Sequence, residues 1–332
     1  MGSTFEGQLN QIATDKKLRT SSLFILSKMD QADLEALKKI WPTIATERRR
    51  DVMRELLEIS EENFEVDFDP VFFLGMADQD PDVRALAVGG LWENEQPALI
   101  GPLLHLLQAD EAAIVRAAAA SALGRFIYLS ELEELDREYI IPIKKGLLDT
   151  IHQPAEDIEV RRRAVESVSF LGEAEVRQIV ENAYYDDDEK MQVSAIFAMG
   201  RSADITWCSR VIAELDNPNS EIRFEAARAC GELEAAEAVS KLIELIDTDP
   251  DLQVQEMSIW ALGRIGGSVA REGLEICTGS ENEAIAQAAE DALDEINLFG
   301  AALDLFDFEE ELDSFFDDCE ELDDHNGTYI LD

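Results

Sequence analysis

The sequence predicts an all-α fold: an α-solenoid (superhelix) of stacked antiparallel helix pairs with a period of about 31 residues. Three observations lead there. First, an apolar anchor recurs at Val83, Val115, Val160, Met191, Ile222, Val254 and Ile285, in steps of 32, 45, 31, 31, 32 and 31 residues, and a fixed period in this range marks a repeat architecture. Second, the residues four past each anchor (Ala87, Ala119, Ala164, Ala195, Ala226, Ser258, Ala289) and seven past it (Gly90, Ala122, Ser167, Ala198, Ala229, Ala261, Ala292) are all small. Eight past, the residue is always apolar: Leu91, Leu123, Val168, Met199, Cys230, Leu262 and Leu293. Offsets of zero, four, seven and eight share one helix face, where small side chains let a neighbouring helix approach closely. Third, Asp80, Asp157, Asp188, Asn219, Asp251 and Asn282 stand three residues before their anchors, where a side-chain oxygen caps the free N–H groups of a first turn. Ala112 is the exception.

Residues 1–45 are expected to form N-terminal helices, a cap or a degenerate repeat, with "ADLEALKKIWPTIA" as one of them. The repeat array then covers residues 46–300. It opens with "RRRDVMRELLEIS" and "DPVFFLGMA"; Val52 serves as an eighth anchor, although Leu56 breaks the small-residue rule. Pro81 sits where a first helical residue needs no N–H. Gly124, Gly200, Gly231 and Gly263, nine past their anchors, suit left-handed helix ends. A second helix follows each first one, in "PALIGPLLHLLQ", "EYIIPIKKGLLDTI", "EVRQIVENAYY", "ITWCSRVIAEL", "EAVSKLIELI" and "AREGLEIC". The 45-residue step holds an insertion near 127–138, read as an extra turn or short helix projecting from the stack. In 301–324 the residues Ala301, Leu305, Phe308, Leu312, Phe315, Cys319 and Leu322 form one apolar seam on an acidic helix. This segment is read as a C-terminal cap, with a docking arm for another protein as the alternative. Residues 325–332 are read as a flexible tail.

The net charge of −44 comes from 72 acids against 28 Lys and Arg. It opposes binding to nucleic acid or anionic membrane, both of which need excess cations. The charge is uneven, with ten basic and nine acidic residues in 1–60 but thirteen acids and no Lys or Arg in 301–332. Cys208, Cys230, Cys277 and Cys319 are scattered without a C-x-x-C pair, which fits reduced thiols in a cytoplasmic protein. No apolar signal core and no run of eighteen apolar residues is present.

In "DPDVRALAVGGL", "AIVRAAAASALG", "SEIRFEAARACG" and "LQVQEMSIWALG" the chain resembles the HEAT-repeat family, specifically the short bacterial PBS-lyase-type HEAT-like repeats, over about residues 45–300. The resemblance implies the solenoid fold; the family spans scaffolds, assembly factors, chromophore lyases and a few metal enzymes. HEAT-like hydroxylases that modify a lysine-derived side chain hold two irons with His-Glu pairs on first helices. Here the matching dipeptide is Phe224-Glu225, and the only histidines are His105, His152 and His325, so that chemistry is excluded. HEAT-like excision of alkylated bases needs a basic groove, which the charge balance opposes. No catalytic, cofactor-binding or metal-binding residue is assigned. "YYDDDEK" at 184–190 reads as a solvated junction rather than a Ca²⁺ loop.

The expected function is non-catalytic: a scaffold, regulator or assembly factor that binds a protein partner, with the charge favouring a basic client. The alternative is a phycobilin-lyase-like enzyme or chromophore chaperone. The candidate partner surface is a row of cations read in matching register on five second helices, Lys145, Arg177, Arg210, Lys241 and Arg271. An acid follows each by three or four residues: Asp149, Glu181, Glu214, Glu244 and Glu275. A solvated ladder of weak pairs is favoured over a charge-reading groove. Trp207 is the tryptophan assigned to that surface, and Leu305, Phe308, Leu312 and Phe315 form the tail seam. Arg84, Arg116, Arg161 and Arg223, one past their anchors, are expected to pack on the adjacent repeat and pair with junction carboxylates.

Overall fold

The structure, a computed structural model, describes residues 5–298. The tail seam and the remainder of the C-terminal segment lie outside the described residues. The chain falls into two compact units, Met1–Ala198 and Met199–Asp332. All regular elements among the described residues are helical. The fold is an α-solenoid of stacked helix pairs, and the expected array is present in both units.

In the first unit, α1 (Phe5–Thr14), α2 (Thr20–Leu23) and α3 (Gln31–Ile40) precede α4 (Thr46–Glu62) and α5 (Asp69–Gly75). Then come α6 (Pro81–Gly90), α7 (Ile100–Ala109), α8 (Ala113–Glu131), α9 (Ile140–Ile151), α10 (Ile158–Val168) and α11 (Ala174–Tyr184). The division between units falls within α12 (Glu189–Arg201). The second unit continues with α13 (Cys208–Ala213), α14 (Ser220–Glu232), α15 (Val239–Thr248), α16 (Leu252–Ile265), α17 (Gly267–Cys277) and α18 (283–298). First helices pack on first helices (α4 on α6, α6 on α8, α8 on α10, α14 on α16), and second helices on the next first helix (α5 on α6, α7 on α8, α9 on α10, α15 on α16). Val52 and Leu56 are both buried, and α4 and α5 both pack on α6.

All seven anchors are buried, as are the seven residues four past them. Ala122 is half-exposed, whereas the other residues seven past are buried. Every expected cap accepts a backbone N–H: Asp80 from Val83, Asp157 from Glu159, Asp188 from Lys190, Asn219 from Glu221, Asp251 from Gln253 and Asn282 from Ala284.

The glycines nine past the anchors work differently from the expectation. None of the four has positive φ. Each lies instead against the small residue seven past the next anchor. A Cβ added at Gly124 would stand 3.0 Å from the Ser167 Cα; at Gly200 and Gly231 it would stand 2.9 Å from the Cα of Ala229 and Ala261; at Gly263, 3.0 Å from the Ala292 Cβ. The left-handed residues come three positions later, at Ala203 (φ 51), Glu234 (φ 50) and Gly266 (φ 66). At Glu234 the turn is fixed by N–H bonds from Ala235 to the Cys230 carbonyl and from Glu234 to the Gly231 carbonyl.

The arginines one past the anchors clamp successive repeats. Arg223 donates from Nε and Nη2 to both carboxylate oxygens of Asp249 (2.6 and 2.9 Å) and from Nη1 to the carbonyls of Asn217 and Pro218. Arg84 does the same with Asp110 and the Asp78 and Gln79 carbonyls, and Arg116 with Glu156 and the Asp110 and Glu111 carbonyls. A planar fork with five donors suits a carboxylate on one side and peptide oxygens on the other. Burial opposes ionisation of Asp110 and Asp249, yet the bonds from Arg84 and Arg223 hold both carboxyls below the usual carboxylate range. Gln192 and Gln255 occupy the same position and keep only the carbonyl bond, to Asp186 and Asp249. Arg161 departs from the pattern: its Nε is buried without a hydrogen-bond partner.

The insertion lengthens a helix instead of adding one. α8 runs 19 residues through Glu131 and ends at Glu133 (φ 63), where the Glu134 N–H bonds the Leu129 carbonyl. α8 is also long and apolar enough to cross a membrane by length and composition, with a mean hydropathy of 1.2. Ala119, Leu123 and Ile127 are fully buried, and α8 packs against α6, α7, α9 and α10.

Candidate protein-binding surface

The second helices place the expected row of cations in two registers. Arg177 and Arg271 stand seventeen residues past their anchors, Arg210 and Lys241 nineteen past. Two residues amount to about 200° around an α-helix, so these cations do not form one row.

Their partners also differ. Lys241 bonds Glu244 at 3.1 Å, as expected, and also Asp216 at 2.6 Å. Arg271 donates instead to the Asn297 side-chain oxygen on α18 (2.9 Å). Lys145 and Asp149 are both exposed and do not pair. Arg177 is exposed, and Glu181 half-buried. Trp207 is core, only 4% exposed, with the Arg210 guanidinium 5.1 Å from its ring centre, so it is not a contact residue. Arg210 and Glu214 are half-buried beside it. Nothing in a short helix distinguishes an inward from an outward tryptophan until the neighbouring helix is in place. Trp41 is buried and donates to Asp78, Trp260 is half-buried, and Trp92 is 43% exposed.

Two residues of the expected row, Lys145 and Asp149, lie in a cleft. In the first unit, a cavity of about 630 Å³ opens along α9, between the overhanging end of α8 and the start of α11. Its floor holds Ile140, Leu148 and Leu171, and Ile141 stands 71% exposed. Arg137, Lys144 and Lys145 line it together with Glu131, Asp149, Glu173 and Glu175. Lys144 is engaged by Glu173, with Glu175 at 4.0 Å. Arg137, Lys144 and Ile141 carry no sequence signal that marks them: consecutive apolar residues such as Ile179 and Val180 are both buried on α11, whereas Ile141 beside buried Ile140 is exposed.

The chemically versatile side chains are dispersed. His105 and His152 are exposed. Burial pushes the Cys230 thiol up to about 12, and raises Cys208 and Cys277 as well, which leaves them protonated and unreactive. In the 184–190 junction, Asp188 caps α12 and Asp186 accepts from the Asp188 N–H. Among the described residues no group of three or more His, Cys, Asp or Glu side chains is arranged to hold a metal ion.

A family model described as HEAT repeats matches residues 70–140 and 209–294. Those two stretches are HEAT repeats. Among solved structures, it is similar to YibA of E. coli (16% identity, TM-score 0.47, covering 85% of this chain and 98% of that one). It is also similar to the CpcE–CpcF complex of phycocyanin lyase from Nostoc sp. PCC7120 (18% identity, TM-score 0.44, 69% and 94% covered). A third is human deoxyhypusine hydroxylase (16% identity, TM-score 0.35, 88% and 97% covered). Comparison with curated protein sequences found no match.

Proposed function

We propose that this HEAT-repeat protein is a non-catalytic scaffold or assembly factor of the cytoplasm that holds a basic client protein, and that the client seats in the cleft along α9. The observation that carries this reading is the cleft itself. It combines an apolar floor, an exposed isoleucine, and four carboxylates against three cations, in a chain of net charge −44. Exposed apolar area beside charges of known sign supplies affinity and orientation together. Glu131 and Asp149 are exposed beside the cleft and offer carboxylates to a basic partner.

The test is capture of a client by the full-length protein at low and high salt, with the wild type beside Glu131→Lys/Asp149→Lys. A basic protein should be retained by the wild type at low salt, released at high salt, and lost with the variant at an unchanged melting temperature. Capture that survives the double reversal refutes the cleft as the site. A bilin-coloured adduct, or transfer of a bilin to an acceptor protein, would replace the scaffold with the chromophore-lyase reading.

A further inference from the structure

One joint of the array stands open. At three others the arginine one past the anchor reaches a carboxylate of the following junction: Arg84 meets Asp110, Arg116 meets Glu156 and Arg223 meets Asp249. Asp110 and Asp249 stand five residues before the next anchor, and so does Asp186, the counterpart that this register gives to Arg161. Asp186 is set for the role. Its Oδ1 accepts the Asp188 N–H at 2.9 Å, as Asp110 accepts from Ala112 and Asp249 from Asp251. Yet the Arg161 side chain makes no hydrogen bond or ion pair among the described residues, and its Nε is buried without a partner.

The preceding junction differs from the others. The residue that closes the second helix, Asp110 after α7 and Asp249 after α15, stands five before the anchor. His152, which closes α9, stands eight before Val160. No peptide oxygen of this longer junction takes the Arg161 guanidinium, so the fork lacks the seat that Arg84, Arg116 and Arg223 have on two carbonyls.

Arg161 and Asp186 line one cavity of about 180 Å³, formed by the ends of α9 and α11, by α10 and by the start of α12, all within the first unit. Val165, Ile179, Ala183 and Met191 give it an apolar wall, none of them more than 7% exposed. It shares only His152 with the cleft along α9. Sites for drug-sized ligands span roughly 300–1,000 Å³, so an occupant here has few heavy atoms. A lone anion would bond Arg161 but lie beside Asp186 and its acidic neighbours Asp187 and Asp188. A lone cation would leave the buried guanidinium nitrogen unpaired, which is costly. A molecule that carries a carboxylate and an ammonium on neighbouring atoms answers both charges, and the apolar wall takes a short hydrocarbon group.

We propose that this cavity binds a free α-amino acid with a short aliphatic side chain, its carboxylate on the Arg161 fork and its ammonium on Asp186.

Calorimetric titration of the full-length protein with L-valine tests the assignment. Saturable binding is expected, with isovalerate, which lacks the ammonium, and isobutylamine, which lacks the carboxylate, each at least about tenfold weaker, the worth of one charge-assisted hydrogen bond. Arg161→Gln and Asp186→Asn should each weaken L-valine by a similar factor. The melting temperature of Arg161→Gln should match the wild type, because the arginine makes no bond in the empty site. No binding of L-valine at millimolar concentration overturns the proposal, and so does undiminished binding in both variants. Isovalerate binding as tightly as L-valine assigns the site to simple carboxylates instead. A melting temperature lowered in Arg161→Gln as far as in Arg223→Gln shows the Arg161 clamp closed on Asp186, and the cavity with it.

Discussion

The seam between first helices makes a prediction that runs against helix propensity. Gly231 lies inside α14 with ordinary helical φ, so alanine there should stabilise an isolated helix by about 1 kcal/mol. In the stack, the new Cβ would lie 2.7 Å from the Trp260 ring, 2.9 Å from the Ala261 Cα and 3.2 Å from the Ala261 Cβ. The half-buried ring has room to turn, but the Ala261 backbone moves only by shifting α16. Overpacking of this kind costs about 1–3 kcal/mol, so Gly231→Ala should destabilise by about 1–2 kcal/mol net. Gly89 supplies the control. It also lies within a helix, α6, but an added Cβ meets nothing within 4 Å, so Gly89→Ala should stabilise by about 0.5–1 kcal/mol. Ala261→Gly alone should destabilise, through a lost buried methyl and a weaker helix. In the double variant with Gly231→Ala, the losses should sum to about 1 kcal/mol less than additivity, because the two sites share one contact. Urea unfolding of the four proteins, with hydrogen exchange localising the effect to α14 and α16, measures this. Additive losses, or a more stable Gly231→Ala, would show that the glycines do not set the approach of the helices.

Four further predictions follow from individual contacts. Arg223→Gln and Arg223→Ala both take the guanidinium from the buried Asp249 carboxylate and should each cost about 3 kcal/mol, the alanine about 1 kcal/mol more because it also loses the carbonyl bond seen at Gln192 and Gln255; a loss well under 1 kcal/mol for either in chemical denaturation would contradict the clamp. Glu234→Gly should raise stability by about 0.5–1 kcal/mol by relieving a left-handed side chain, while Gly266→Ala at the equivalent turn should lower it; calorimetry on both checks the sign. Trp207→Ala should cost about 3–5 kcal/mol as a core truncation, whereas Trp92→Ala, at a site 43% exposed, should cost far less; similar melting shifts would overturn the placement of either ring. The Arg50 bond holds the Asp80 carboxyl down at about 2, below an unfolded value of about 4. Its stabilisation should therefore be complete above pH ~4 and fade as pH falls toward about 2. The stability difference between wild type and Asp80→Asn should shrink over that window; a constant difference would place the carboxyl elsewhere.

The repeat was legible because each of its signals is local. Anchors, small residues and capping oxygens report on one helix at a time, and Val83, Ala87 and Asp80 could be assigned without knowing their neighbours. What the sequence hid depends on a second element. Gly231 looks like a helix end until Ala261 lies against it, and the left-handed turn at Glu234 carries no glycine to announce it. Likewise, Trp207 and Arg210 read as a surface pair on a short helix, and only the packed repeat turns the indole inward under the guanidinium. Spacing along a helix also implied that Arg271 would meet Glu275, but Asn297 on the next helix is the partner it finds. The cleft was missed for a related reason: its walls come from three separate helices, α8, α9 and α11, and form only where the lengthened α8 reaches past the start of α9.

The junction of a backbone-close glycine with a small residue has a consequence for how such an array can change in evolution. Because the first helices that carry Gly124, Gly200, Gly231 and Gly263 repeat the same close contact to the next unit, a whole block of about 31 residues between such joints can be duplicated or lost with its mating faces intact. Side chains on the outer surface of the second helices take no part in that fit. The outer face is thus free to drift from block to block while the positions four and seven past each anchor hold nothing bulkier than a serine.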